Sequence, residues 1–135
     1  MLPVGGKDMG NGKVHVFTGD GKGKTTAAMG VAIRAAGEHL KVFILQFIKS
    51  GDYSEIKALK RLSEWIDVEQ HGLGRFPKER PKPADIQAGR EGLKRAREVI
   101  LSDRYDLVVL DEANVAIKLG LIKEQELVSL IVNKP

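Results

Sequence analysis

The chain has 135 residues, enough for one ordinary domain and too few for two. Hydrophobic residues make up 42% and charged residues 30%, a globular balance that excludes a disordered, collagen-like or polar low-complexity chain. Its 22 Lys and Arg against 18 Asp and Glu leave a formal charge of +4, which permits a polyanionic ligand without requiring nucleic acid.

In chain order, residues 1–12 carry four glycines and little apolar content, and a flexible leader is expected there ahead of a single α/β domain over 13–135. Val14-His-Val-Phe-Thr18 is β-branched and aromatic and runs into the glycine-rich 19–23, the pattern of a buried strand entering a turn. A helix is expected over Thr25–Ala36, with Met29, Ala32, Ile33 and Ala36 at helical spacing and Gly37 as its stop. Val42-Phe-Ile-Leu-Gln-Phe-Ile48 is apolar on both alternating faces, as a central strand covered on both sides must be. Ser54–Leu62 reads as a helix through Ile56, Leu59 and Leu62, and Ile66–Gln70 as a short strand.

The segment from His71 to Pro83, rich in Gly and Pro, reads as a long irregular connection of the kind that often carries function. Asp85–Leu101 is expected to be a helix with Ile86, Gly89, Leu93, Ala96 and Ile100 inward and a basic outer face at Arg90, Lys94, Arg95 and Arg97, paired locally with Glu91 and Glu98. Leu107-Val-Val-Leu110 reads as a second buried strand and Glu124–Val132 as a last amphipathic helix. Alternating strands and helices give a parallel α/β sheet, whose ligands lie at the carboxyl ends of the strands.

The strongest chemical signal is Thr18-Gly-Asp-Gly-Lys-Gly-Lys-Thr-Thr26 between an expected strand and an expected helix. Glycines at 19, 21 and 23 let several N–H groups face one anion, and the helix start adds its positive dipole end. Lys24 supplies a point charge to phosphates, and the Thr25 hydroxyl is placed to ligate magnesium. Asp111 and Glu112, ending a strand, stand where a carboxylate meets phosphate-bound magnesium. The bland alternatives are a turn that merely joins strand to helix, and a solvated strand end or helix cap. Thr18 stands where the usual loop has glycine, so the nucleotide need not lie as in a standard ATPase.

Zero Cys removes disulfides, thiolate metal sites and cysteine nucleophiles. With no apolar run near the roughly 20 residues of a bilayer span and no signal-like start, a soluble cytoplasmic protein is expected. One Trp, two Tyr and four Phe give few stacking platforms, which weighs against nucleic acid as a partner. His15, His39 and His71 lack ligand spacing. Arg75, Lys78, Arg80 and Lys82 around Phe76 form either a cluster for an anionic or planar substrate or a solvated loop. Trp65 reads as a packing residue.

Phe17-Thr-Gly-Asp-Gly-Lys-Gly-Lys-Thr-Thr-Ala-Ala28 resembles the variant phosphate-binding loop of the ATP:corrinoid adenosyltransferases. Val42-Phe-Ile-Leu-Gln-Phe-Ile-Lys49 is similar to that family's second strand, and Asp106-Leu-Val-Val-Leu-Asp-Glu-Ala-Asn114 to its acidic segment. Arg75-Phe-Pro-Lys78 running on to Asp85, then Gln87-Ala-Gly-Arg-Glu-Gly-Leu93, is similar to the corrinoid-side loop and helix of the shorter members.

The resemblance implies a RecA-like phosphate-loop fold lacking the family's C-terminal strands, since members continue past the equivalent of Pro135. It implies transfer of the 5′-deoxyadenosyl group of ATP to Co(I) of a reduced corrinoid, such as cob(I)yrinic acid a,c-diamide or cobalamin, with release of triphosphate. ATP and the corrinoid are then substrates, magnesium a cofactor, a flavoprotein the reductant and a homodimer the assembly. Gly19, Asp20, Gly21, Lys22, Gly23, Lys24, Thr25 and Thr26 would hold the nucleotide, with Arg34 toward it and Phe76 on the corrinoid side. Thr25, Asp111 and Glu112 would hold the metal, and Lys24 and Glu112 would act in the reaction. Many members have Phe-Thr-Trp where this chain has Arg75-Phe76-Pro77. The readings left beside this one are a small ATPase or kinase with ordinary nucleotide orientation, a non-catalytic ATP-binding module and a nucleic-acid-binding RecA-like fragment.

Overall fold

The run Val42–Phe47 forms β1, and all six of its residues are buried, which only a strand with neighbours on both edges and layers on both faces achieves. The computed structural model describes residues 12–18, 21–77 and 80–135; most of the expected leader, with Gly19, Asp20 and Lys78, lies outside the described residues. β1 pairs in parallel with β2 (Ile66–His71) on one side and with β3 (Leu107–Asp111) on the other, giving the order β2-β1-β3. The registers Val42↔Ile66 and Val42↔Leu107 start level, so Gln46, Gln70 and Asp111 stand side by side, at the end of β3 and one residue before the ends of β1 and β2.

Alternation along β1 divides the core. Phe43, Leu45 and Phe47 meet Leu93, Ala96 and Val99 of α3 (Pro83–Ser102), with Ala116 of α4 (Ala113–Lys118) and Leu127 and Leu130 of α5 (Glu124–Val132). Val42 and Ile44 meet Met29, Ala32 and Ala36 of α1 (Lys24–Gly37) and Ile56 and Leu59 of α2 (Ser54–Lys60). The protein is thus an α/β domain with a parallel sheet flanked by helices on both faces. Among the described residues β3 is paired on one edge only, and Leu107–Leu110 are half-buried where β1 is fully covered.

Three expectations are corrected. Residues 12–18 form no strand: Val14, Val16 and Phe17 are 47%, 64% and 43% exposed, because strand propensity is realised only where a ladder partner and a packed face exist. In α3 the inward stripe is Gly89, Gly92, Leu93, Ala96 and Val99, with Ile86 exposed and Ile100 at the margin. Two glycines set that phase by letting the helix sit close. A Cβ on Gly89 would stand 2.6 Å from the Leu121 carbonyl oxygen, and one on Gly92 2.8 Å from the Phe47 ring. In α1, Ile33 faces outward and Ala28 and Ala35 take its place inside. The short helix α4 was not foreseen, and Trp65 stacks on His39 at 4.9 Å beside the α1 and α2 layer.

Candidate functional site

Three parallel strands in level register place Gln46, Gln70 and Asp111 on one edge of the sheet, beside the first turn of α1. That turn is opened by Gly23, whose φ of 100° suits a residue without Cβ, and the Ala27 amide donates to the Gly23 carbonyl at 2.8 Å. Lys24 Nζ donates back to the Gly21 carbonyl at 2.6 Å.

The Thr25 hydroxyl donates to Asp111 Oδ1 at 3.0 Å. The other Asp111 oxygen accepts from Gln46 Nε2 and from Lys49 Nζ, each at 3.0 Å. Lys49 Nζ also lies 3.3 Å from Thr25 Oγ1 and 3.7 Å from Glu112 Oε1. Thr25, Asp111 and Glu112, which the sequence reading assigns to one metal site, therefore meet around one ammonium group.

Gln46 is fully buried, as alternation toward the α1 and α2 layer requires, and a buried amide must be bonded. Its Oε1 accepts from Gln70 Nε2 at 3.0 Å, and Gln70 is clamped in turn by the amide and carbonyl of Gly51, both at 2.9 Å. A polar chain thus runs from the loop after β1 through both glutamines to Asp111 and Thr25. Gln46→Leu is expected to cost about 1–2 kcal/mol of stability, read from the urea midpoint, by removing one bond to Asp111 and one acceptor of Gln70.

Backbone strain gathers at the same edge. Ile48, directly after β1, has φ 70°, and Glu112, directly after β3, has φ 63°. A β-branched residue in this region is an outlier that the surroundings must hold. Here the Gly74 amide donates to the Ile48 carbonyl at 2.9 Å, and Gly72 packs flat on Ile48. The loop 72–82 is thereby tied to the residue next to Lys49.

Its far side is tied by Arg75, whose guanidinium makes two bonds of 3.3 Å to the buried Asp85 carboxylate, which also accepts from the Lys82 amide at 2.9 Å. Hydrogen bonding from Arg75, then from Lys82, holds the Asp85 carboxyl below its ordinary value. A depressed folded value contributes stability that is present above the unfolded value of about 3.9 and lost as pH falls through the folded one. Asp85→Asn is therefore expected to lower the thermal midpoint at neutral pH, with the difference from the parent protein shrinking below about pH 3.9.

Other expected site residues stand apart from this cluster. Lys22 and Thr26 are exposed near it. Arg34 lies in the last turn of α1, ten residues beyond Lys24 and so about 15 Å along the axis. Phe76 is 53% exposed on the loop 72–82. Of the basic face of α3, Arg95 is engaged with Glu69 at 2.9 Å and Glu98 at 3.5 Å, whereas Arg90, Lys94 and Arg97 are exposed. Sequence reasoning gave no role to Lys49, Gln46 or Gln70. The signal for Gln46 was present, an amide inside a run otherwise apolar on both faces.

Thr25, Asp111 and Glu112 offer one hydroxyl and two carboxylates around a cationic group, the hard-oxygen chemistry that suits magnesium. Among the described residues no three His, Asp or Glu side chains cluster into a protein-only cage. A magnesium ion here would share its shell with a ligand, as it commonly does with phosphates. No helix among the described residues is long and apolar enough to cross a membrane.

Residues 10–135 match the family described as ATP:corrinoid adenosyltransferase BtuR/CobO/CobP. A corrinoid adenosyltransferase of Escherichia coli is 32% identical over 124 residues, covering 92% of this chain and 63% of that protein. One from Pseudomonas aeruginosa is 31% identical over 125 residues, covering 92% and 62%. An uncharacterized protein of Nostoc is 37% identical over 139 residues, covering 92% of this chain and 36% of its own length. The chain thus spans less than two thirds of the length of these relatives. On a family match over nearly all of its residues, the chain belongs to the ATP:corrinoid adenosyltransferase BtuR/CobO/CobP family.

Proposed function

We propose that this protein transfers the 5′-deoxyadenosyl group of ATP to Co(I) of a reduced corrinoid. The observation that carries the reading, within this family, is the meeting of Thr25 and Asp111 at the first turn of α1 with Lys49 and Glu112 around them. In the reaction the Co–C5′ bond forms and the C5′–O bond to the triphosphate breaks. The electron pair of the broken bond leaves with triphosphate, and cobalt passes formally from Co(I) to Co(III).

Co(I) is itself a strong nucleophile, so the chain need supply neither a nucleophile nor a general base. Its work is to place C5′ and to stabilise charge on the departing triphosphate. Gly21, Lys22, Gly23, Lys24 and Thr26, with Gly19 and Asp20, form the segment assigned to the triphosphate. Thr25, Asp111 and Glu112 would hold magnesium, which when bound neutralises charge on the phosphate oxygens. The loop 72–82 leaves the same edge of the sheet and presents Phe76 outward, the side assigned to the corrinoid. Cob(I)yrinic acid a,c-diamide and cobalamin are the two corrinoids to compare, and a flavoprotein reductant and a homodimer belong to the same reading.

The test is a visible absorbance time course of Co(I) cobalamin, kept anaerobic, after adding ATP, magnesium and the protein. A light-sensitive adenosyl-cobalt spectrum with stoichiometric triphosphate is the expected result. Release of ADP and phosphate would overturn it in favour of an ATPase, and ATP binding with no product in favour of a non-catalytic module.

A further inference from the structure

We propose that Lys49 is a built-in counter-ion of the Thr25–Asp111–Glu112 oxygens, which a divalent cation must displace and which then serves the polyphosphate. This rests on reading the site as one for metal and polyphosphate. Lys49 Nζ stands 3.0 Å from Asp111, 3.3 Å from Thr25 and 3.7 Å from Glu112, so it faces the same three oxygens that suit magnesium. Its side chain is 15% exposed, against 6% and 19% for the two carboxylates, so the pairing is well shielded from solvent and stronger than a surface ion pair.

Two cations do not share those oxygens. A metal ion alone must replace an ammonium already bonded there, and its affinity is lowered accordingly. A metal ion arriving on a polyphosphate brings new anionic oxygens, to which the displaced ammonium can turn on its flexible stem. Thr25 lies within the first turn of α1, next to Lys24, so such oxygens would lie within the sweep of the Lys49 chain. The device favours the metal–polyphosphate complex over either component. The base of the Lys49 side chain is held in place through the backbone, since Ile48 at φ 70° is held by Gly72 and Gly74, while its stem stays free to turn.

The experiment titrates Mn2+ by electron paramagnetic resonance into the parent protein and the variants K49M, K49R and D111N, first alone and then with ATP. K49M is expected to bind Mn2+ alone roughly tenfold more tightly than the parent, since one positive charge at contact distance is gone. With Mn2+ present, K49M is expected to bind ATP roughly tenfold more weakly, for loss of one charge-assisted contact. K49R keeps the charge and should stay near the parent for Mn2+ alone, and should K49M be poorly folded, K49Q removes the same charge and must show the same gain, an unchanged Mn2+ affinity there overturning the role of Lys49. Equal Mn2+ affinity for parent and K49M, with D111N weakened, would overturn the role of Lys49 and leave the metal site standing. Mn2+ binding unaffected by D111N, with or without ATP, would overturn the site reading itself and the proposal with it.

Discussion

Under the proposed reaction, Lys24→Ala is expected to lower the rate of adenosyl transfer roughly 100- to 1,000-fold, measured in single turnover with Co(I) cobalamin, while the thermal midpoint changes little. Lys24 is the first residue of α1, and its ammonium turns back over the loop to the Gly21 carbonyl. It can therefore meet a triphosphate lying across the loop. Charge on that group increases as the C5′–O bond breaks, so a fixed positive group there favours the transition state more than the ground state. Removing one such donor in other active sites costs on the order of 100- to 1,000-fold. Alanine is the best helix former, so the helix start is not weakened. An unchanged rate would remove Lys24 from the reaction.

The second large effect is expected at Gly72. A Cβ there would run into the carbonyl carbon and oxygen of Ile48, which are backbone atoms with no rotamer to yield. Gly72→Ala must push apart the ends of β1 and β2, at a cost of roughly 3 kcal/mol, read from the urea midpoint. The Gly74 to Ile48 hydrogen bond should open with it, seen as faster exchange of the Gly74 amide. A neutral result would mean that the close approach is not rigid, and that Ile48 is free to leave its strained conformation.

The elements legible in the sequence were those whose pattern is enforced by burial. Val42–Phe47 is buried on both faces and reads as a central strand, and the last amphipathic helix has the bounds Glu124–Val132 that the sequence suggests. Residues 14–18 have an equally strong local pattern and form no strand, because a local preference cannot supply a ladder partner. In α3 spacing alone favoured Ile86 and Ile100, whereas the glycines at 89 and 92 decide which face can approach the sheet. The short α4 has too few turns to show a period.

At the site, the glycine-rich loop and the acidic pair were visible as motifs, and their meeting across 86 positions of sequence is a product of the parallel sheet. Lys49, Gln46 and Gln70 were not visible as site residues. Their roles depend on strand register, which brings Gln46 level with Gln70 and Asp111, and on the turn at Ile48 that directs Lys49 across the strand ends.

Among the described residues β3 is paired on one side only, which bears on how this protein behaves in a concentrated solution. Leu107-Val-Val-Leu110 presents a row of backbone donors and acceptors along an uncharged stretch, with no Lys or Pro to deter an incoming strand until Asp111 closes it. Along the described residues that edge is the place where association on concentration is expected to begin.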